Sequence, residues 1–227
     1  MKTKKLVIYG IGETADIAYE YFTYDSDYEV VAFTVDNEYR KEETHLGLPV
    51  IDFAEITNHF PPNEVEMFAA STYNKLNRVR TKMFNAAKAK GYKCANYISS
   101  KAFVWRNVTI GENVMIFENN VIQHLVKIGN NVVLWSGNHV GHQTVIEDNV
   151  YLSSHCVISG FCVIGSNSFL GVNCTFNDYI KLGRDNIVGS GALIVKDTED
   201  GKLMIGSPAK PAAKSSFEAF NVPAEMI

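Results

Sequence analysis

The stretch Gly137-Asn138-His139-Val140-Gly141-His142 sets two imidazoles three residues apart, in a run otherwise built for strands. A neutral imidazole can take a proton near pH 7, so His142 or His139 could serve as a general base. Asn138 and His139 are placed to orient His142, the part a carboxylate plays in a catalytic triad. Gln143 follows His142 directly, where an acid would do that work better. His124 and His155 flank the group and read as structural, with His124 also able to touch an acceptor. Three of these histidines could instead hold zinc, which would make the protein a hydratase.

The elements around them follow a strict period. From Ile98 to Ile194, seventeen consecutive positions spaced six residues apart hold an apolar side chain, and only Phe176 among them is not aliphatic. Four residues after most steps stands a small or β-branched one, such as Val108, Val126, Thr144, Cys156, Cys162 or Cys174. Helices repeat at 3.6 residues and strands at 2, so a period of six marks a coil of short strands and tight turns. A second period of eighteen overlies it: Ile110-Gly111-Glu112-Asn113 recurs as Ile128-Gly129-Asn130-Asn131 and again at Ile146, Ile164 and Leu182. Three hexads therefore close one turn of a triangular prism, with Gly and Asn at corners that suit positive φ. One turn either side of His142, the same column holds His124 and Gly160. Phe117, Trp135 and Phe161 are expected to project outward at turns, as interface residues.

Residues 1–96 read differently. The apolar strand Leu6–Gly10 leads through GIGETA into an amphipathic helix, then a second strand ends at Asp36, a third ends at Ser71, and another helix follows. This predicts a small Rossmann-like α/β domain on a parallel sheet, ahead of a prism at 97–210 and a tail at 211–227. GIGETA could hold phosphates at the helix N-terminus, but the domain is short for a dinucleotide fold and Glu13 puts a negative charge in the loop. Asp36 could accept hydrogen bonds from a base or ribose.

Composition narrows the function. Of 227 residues, 46% are hydrophobic and 20% charged, with a net charge of −4 and no basic cluster, which argues against nucleic acid. The apolar run after MKTKK is too short for a signal peptide and no segment is long enough to span a bilayer, so a cytoplasmic location is expected. The four cysteines lack metal or disulfide spacing and read as buried thiols.

The unbroken hexads of Ile98 to Lys210, and their GSPAK ending, resemble the hexapeptide-repeat acyltransferases. The resemblance implies a left-handed parallel β-helix of about five to six coils. A short nucleotide-binding fold ahead of it is similar to the sugar-nucleotide N-acetyltransferases. That family includes the bacillosamine and perosamine N-acetyltransferases and sialic acid O-acetyltransferase-like proteins. It implies acetyl-CoA as cosubstrate, no metal, a homotrimer with active sites between subunits, and a nucleotide-linked dideoxyamino sugar as acceptor. Attack of the acceptor amine on the thioester would be assisted by His142; a sugar hydroxyl is the alternative nucleophile. By position, Tyr151, Gly160, Val172 and Ser190 would line the acetyl-CoA groove. Gly12, Glu13, Thr14, Asp36 and Asn37, with Ser71, Asn74 and Arg80, would hold the nucleotide. In the family an acidic residue flanks the base; here Gln143 stands there. The spacing of His124, His139 and His142 also differs from that of β-helix carbonic anhydrases. No long loop interrupts the hexads, so the acceptor must be gripped by the first domain, a neighbouring subunit, or both.

Overall fold

The computed structural model describes residues 2–226. By internal contacts the chain divides into two units, one of residues 1–72 and 80–97, the other of 73–79 and 98–227. The segment 73–79, expected within the first domain, thus groups with the prism, and so does the tail.

In the first unit, β1 (Lys4–Tyr9), β2 (Tyr28–Val35), β3 (Thr44–His45), β4 (Leu48–Asp52) and β5 (Glu66–Ala69) form one sheet in the order β3-β4-β2-β1-β5. All pairs are parallel except β3 with β4. The helices are α1 (Glu13–Tyr24), α2 (Ile56–His59) and α3 (Arg78–Ala89), the last from residue 80 onward. Leu6, Val7 and Ile8 of β1 are fully buried, as a central strand covered on both faces requires. Gly10 ends β1 at φ +132, with the Ala70 carbonyl oxygen 2.6 Å from where a Cβ would stand, so only glycine fits there. The chain runs outward from β1 to β4 and then returns to pair β5 on the other side of β1. In open parallel sheets, a reversal of this kind puts the ligand crevice at the carboxyl ends of the strands beside it, here β1 and β5.

The second unit is the left-handed parallel β-helix. Two-residue strands recur from Tyr97–Ile98 to Leu193–Ile194 and pair with those eighteen residues away, building three parallel faces. Face I runs from Phe103–Val104 through His139–Val140 to Leu193–Ile194, face II from Thr109–Ile110 to Lys181–Leu182, and face III from Tyr97–Ile98 to Ile187–Val188. The second residue of each strand and the small phase of each hexad fill the interior: Ile122, Val140, Leu152, Cys156, Ile158, Cys162, Leu170 and Cys174 are fully buried. Each buried aliphatic contributes about 1.5–3 kcal/mol relative to exposure. The cysteines are free thiols, as their phase implies.

Positive φ at the corner between faces II and III falls on Asn113, Asn131, Asn149, Asn167 and Asp185, not on the glycines. Gly111, Gly129, Gly165 and Gly183 serve another need: a Cβ on any of them would come within 2.9 Å of the next coil's backbone. The asparagines also form a ladder, with Asn113 Nδ2 donating to Asn131 Oδ1 and Asn131 Nδ2 to Asn149 Oδ1, each at 2.9 Å. Leu203–Gly206 and Ala209–Pro211 extend face III as an antiparallel pair, followed by α4 (Ser216–Ala219) with a capping box from Ser215 and Glu218. No helix among the described residues is long and apolar enough to cross a membrane.

The three faces differ outwardly. Face III is covered: Met115, Val133, Tyr151 and Ile187 are buried, with Tyr73 packed on Tyr151 and Phe169, and Leu76 clustered with Ile187 and Val222. Face II presents Lys127 and Lys181 to solvent. Face I and its edges instead expose Phe103, Trp105, Val121, Leu125, Val157, Phe161, Val172 and Val195.

Candidate active site

His142 sits at the edge where face I turns into face II, half-buried, one coil after His124 and one before Gly160. Its ring lies 5.5 Å from the His124 ring and meets the Phe161 ring edge-on at 4.9 Å. Gly160 makes the space beside it: a Cβ there would fall 2.7 Å from Cε1 and 3.0 Å from Nε2. The Gly160 N–H donates to Asp178 Oδ1 at 2.8 Å, so a carboxylate closes the column below the glycine. The left-handed corner position on this edge is taken by Leu125, Gln143, Phe161 and Tyr179, with φ between +58 and +64. Such residues cost about 1–2 kcal/mol each in that region, and strain of this kind concentrates at functional sites. Phe161 and Tyr179 stack at 4.8 Å beside the histidine.

The expected helpers of His142 stand elsewhere. Asn138 occupies the small inward phase of its hexad, four residues after Leu134, and is 1% exposed. Its amide nitrogen donates to the Trp135 carbonyl and its oxygen accepts from Cys156 N–H at 2.8 Å, so it staples the interior and orients no ring at the edge. His139 is the outward residue of a flat-face strand, paired with Val121 and Val157. Gln143 occupies the exposed corner at φ +58. The group beside the ring is Gln123, whose Oε1 lies 2.9 Å from His142 N and 3.3 Å from Nδ1. Sequence reasoning missed it because it weighed chain neighbours; the column pairing His124 with His142 already brought Gln123 close. His155 is at a left-handed corner, its ring filling the space above Gly137. Among the described residues no three His, Cys, Asp or Glu side chains gather as a metal-binding cluster.

Three residues expected along the acetyl-CoA groove come together. Tyr151, Val172 and Ser190 line a cleft of about 300 Å³ where face III turns into face I, with Tyr73, Trp135 and Ser154 completing its wall. Gly160 is on the other edge of face I, with His142. One chain therefore carries His142 on one edge of face I and the cleft on the opposite edge. Of the aromatic residues expected outside, Phe161 is 37% exposed, whereas Phe117 is buried, stacked on Trp135 at 4.5 Å. The Trp135 indole N–H donates to the Tyr151 hydroxyl.

In the first unit, Gly12, Glu13, Thr14, Asp36, Asn37 and Ser71 all follow the carboxyl ends of β1, β2 and β5, at the crevice. Gly12 caps α1, whose first turn carries Glu13 and Asp16. These carboxylates suit the helix dipole but oppose a phosphate placed there. Asp36 Oδ1 accepts from the Tyr9 hydroxyl at 2.8 Å, and the Tyr9 ring stacks on Phe53 at 4.2 Å. Burial, then the bond to Asp36, raises the Tyr9 hydroxyl pKa, so it stays a donor that holds the carboxylate. Two expected residues depart from the crevice: Arg80 is 1% exposed and offers no guanidinium to solvent, and Asn74 belongs to the segment grouped with the prism.

The sequence signature of the bacterial transferase hexapeptide family (six repeats) matches residues 125–160, the stretch that contains His142. Curated proteins yield no match. Among solved structures, the acetyltransferase domain of PglB from Neisseria gonorrhoeae superposes with a TM-score of 0.82 at 27% identity, over 92% of this chain and 100% of that one. A histidine-to-asparagine variant of perosamine N-acetyltransferase from Caulobacter crescentus, in complex with CoA and GDP-perosamine, gives 0.80 at 26% identity, over 92% and 97%. WeeI from Acinetobacter baumannii shares the fold, with a TM-score of 0.72 at 19% identity over 92% and 100%. Repeat, prism and matches define an acyltransferase built on hexapeptide coils. Within that class, the chain is similar over 92% of its length to the perosamine N-acetyltransferase and to the PglB acetyltransferase domain.

Proposed function

We propose that this protein transfers the acetyl group of acetyl-CoA to the amino group of a nucleotide-linked dideoxyamino sugar, with His142 as general base. The amine nitrogen attacks the thioester carbonyl, His142 takes the proton the nitrogen sheds and passes it to the departing CoA sulfur, and CoA leaves as the thiol. Backbone N–H groups of the coil edge are suited to the oxyanion. The observation that carries the reading is the half-buried His142 ring facing the space left by Gly160, on an edge bordering the apolar face I. The likeness to a perosamine N-acetyltransferase holding CoA and GDP-perosamine supports both substrates.

Face I explains how a base on one edge can serve a cleft on the other. Its exposed Phe103, Val121 and Val157 form an apolar strip that a second copy would cover. Packing of three prisms by a closing head-to-tail contact brings the His142 edge of one copy to the Tyr151–Val172–Ser190 cleft of the next. The acceptor's nucleotide would enter the crevice at Gly12, Asp36 and Ser71, where open parallel sheets take ligands. A cytoplasmic enzyme modifying nucleotide sugars for surface polysaccharide assembly fits this reading.

The test is thiol release from acetyl-CoA with a panel of UDP-, dTDP- and GDP-linked amino sugars and their hydroxyl counterparts. Turnover with an amino sugar supports the reading; turnover with hydroxyl sugars alone makes the protein an O-acetyltransferase, and none with any acceptor refutes it. A monomeric mass in dilute solution would remove the shared site.

A further inference from the structure

We infer that Gln123 is the positioning residue of His142, fixing the imidazole as its Nδ1–H tautomer and leaving Nε2 as the proton acceptor. The inference rests on His142 being the base and identifies what orients it without a flanking carboxylate. Gln123 ends its face I strand one coil before His142, with its own N–H bonded to Val140 O at 3.0 Å. Its side-chain oxygen lies 2.9 Å from the backbone nitrogen of His142. A backbone N–H can only donate, so it selects the oxygen of the amide and turns the NH₂ away. The same oxygen lies 3.3 Å from ring Nδ1 and can only accept, so Nδ1 carries the hydrogen. One atom thereby sets both the backbone corner and the ring's protonation pattern. The remaining nitrogen, Nε2, borders the space at Gly160 together with Cε1, at 3.0 Å and 2.7 Å from where a Cβ there would stand.

An amide differs from a carboxylate in this role. It fixes the tautomer without adding charge, so the imidazolium formed during turnover gains a hydrogen bond but no ion pair. The charged or titratable groups around the ring are His124 on the preceding coil, and Asp178 and Tyr179 beyond Gly160 and Phe161. All stay constant when position 123 alone is varied.

The experiment reads the imidazole nitrogens of His142 by long-range ¹H–¹⁵N correlation and measures kcat and KM in parallel. The wild type should show protonated Nδ1 and an unprotonated Nε2 above the ring's pKa. Gln123→Met, similar in length but without an acceptor, should drift to the Nε2–H form and lose about 10- to 100-fold in kcat, with KM for acetyl-CoA unchanged. Gln123→Glu should restore the Nδ1–H tautomer. Its carboxylate stabilises imidazolium, so the acid limb of its kcat profile should move to higher pH while turnover recovers at alkaline pH. An Nε2–H tautomer in the wild type, or no tautomer change in Gln123→Met, overturns the inference. A tautomer change in Gln123→Met with full turnover instead refutes His142 as base and leaves its orientation by Gln123 standing.

Discussion

His142 and Gly160 occupy one edge of the prism a coil apart, and the histidine ring fills the volume a side chain at Gly160 would need. Gly160 is outside the left-handed region, so alanine there meets no backbone penalty, only the ring. Gly160→Ala should fold with its Tm nearly unchanged, because the ring can swing aside. It should lose about 100-fold in kcat/KM, the scale of a 1 Å misplacement of a reacting group. Unchanged kcat/KM in a steady-state assay would mean the space beside the ring has no part in catalysis.

Asn138 makes the opposite prediction. Asn138→Ala leaves the Cys156 N–H unbonded in a dry interior, which costs about 1–3 kcal/mol. Urea unfolding should show that loss, while kcat of the folded fraction stays within twofold of wild type. A collapse of kcat at preserved stability would return Asn138 to the catalytic group.

The segment 73–79 gives a third. Arg78 Nη1 lies 2.6 Å from Asp185 Oδ1, both side chains mostly buried, and Arg78 Nε donates to Met226 O. Removing one partner strands the other's charge, so Arg78→Ala should lose about 3 kcal/mol of stability. Limited proteolysis should then cut near Tyr73–Val79 faster than in the wild type; equal cleavage would show that the ion pair does not hold the segment.

Alkaline pH tests the first unit. Burial pushes the Tyr92 hydroxyl, which donates to Phe60 O at 2.6 Å, up to about 12 from an ordinary value of 10.0. The folded pKa lies above the unfolded one, so this contribution is complete below pH 10 and lost as pH rises toward 12. Urea midpoints should fall across that window, and less steeply in Tyr92→Phe; identical slopes would contradict the assignment.

How far the residues foretold this can be judged at particular positions. The hexad fixes which side chains point inward, because a prism has no other arrangement that buries Ile122, Val140 and Ile158 together. The same phase puts Asn138 inside, but an amide beside histidines was read as chemistry. Lys75, Leu76 and Asn77 stand consecutively at φ +53, +51 and +65, a conformation nothing local favours. Tertiary contacts hold it: Leu76 is buried, and Asn77 Nδ2 donates to Asn167 O at 3.0 Å. Gln123 was hidden for a similar reason, being nineteen residues from His142 along the chain and adjacent only through stacking.

The most direct test of the central claim compares wild type and His142→Asn in acetyl-CoA turnover with the best nucleotide-linked amino sugar. Asparagine keeps a polar side chain but cannot take a proton at neutral pH. The account predicts a fall in kcat of about 100-fold or more, with KM for acetyl-CoA within twofold of wild type. A variant that turns over as fast as wild type would contradict it.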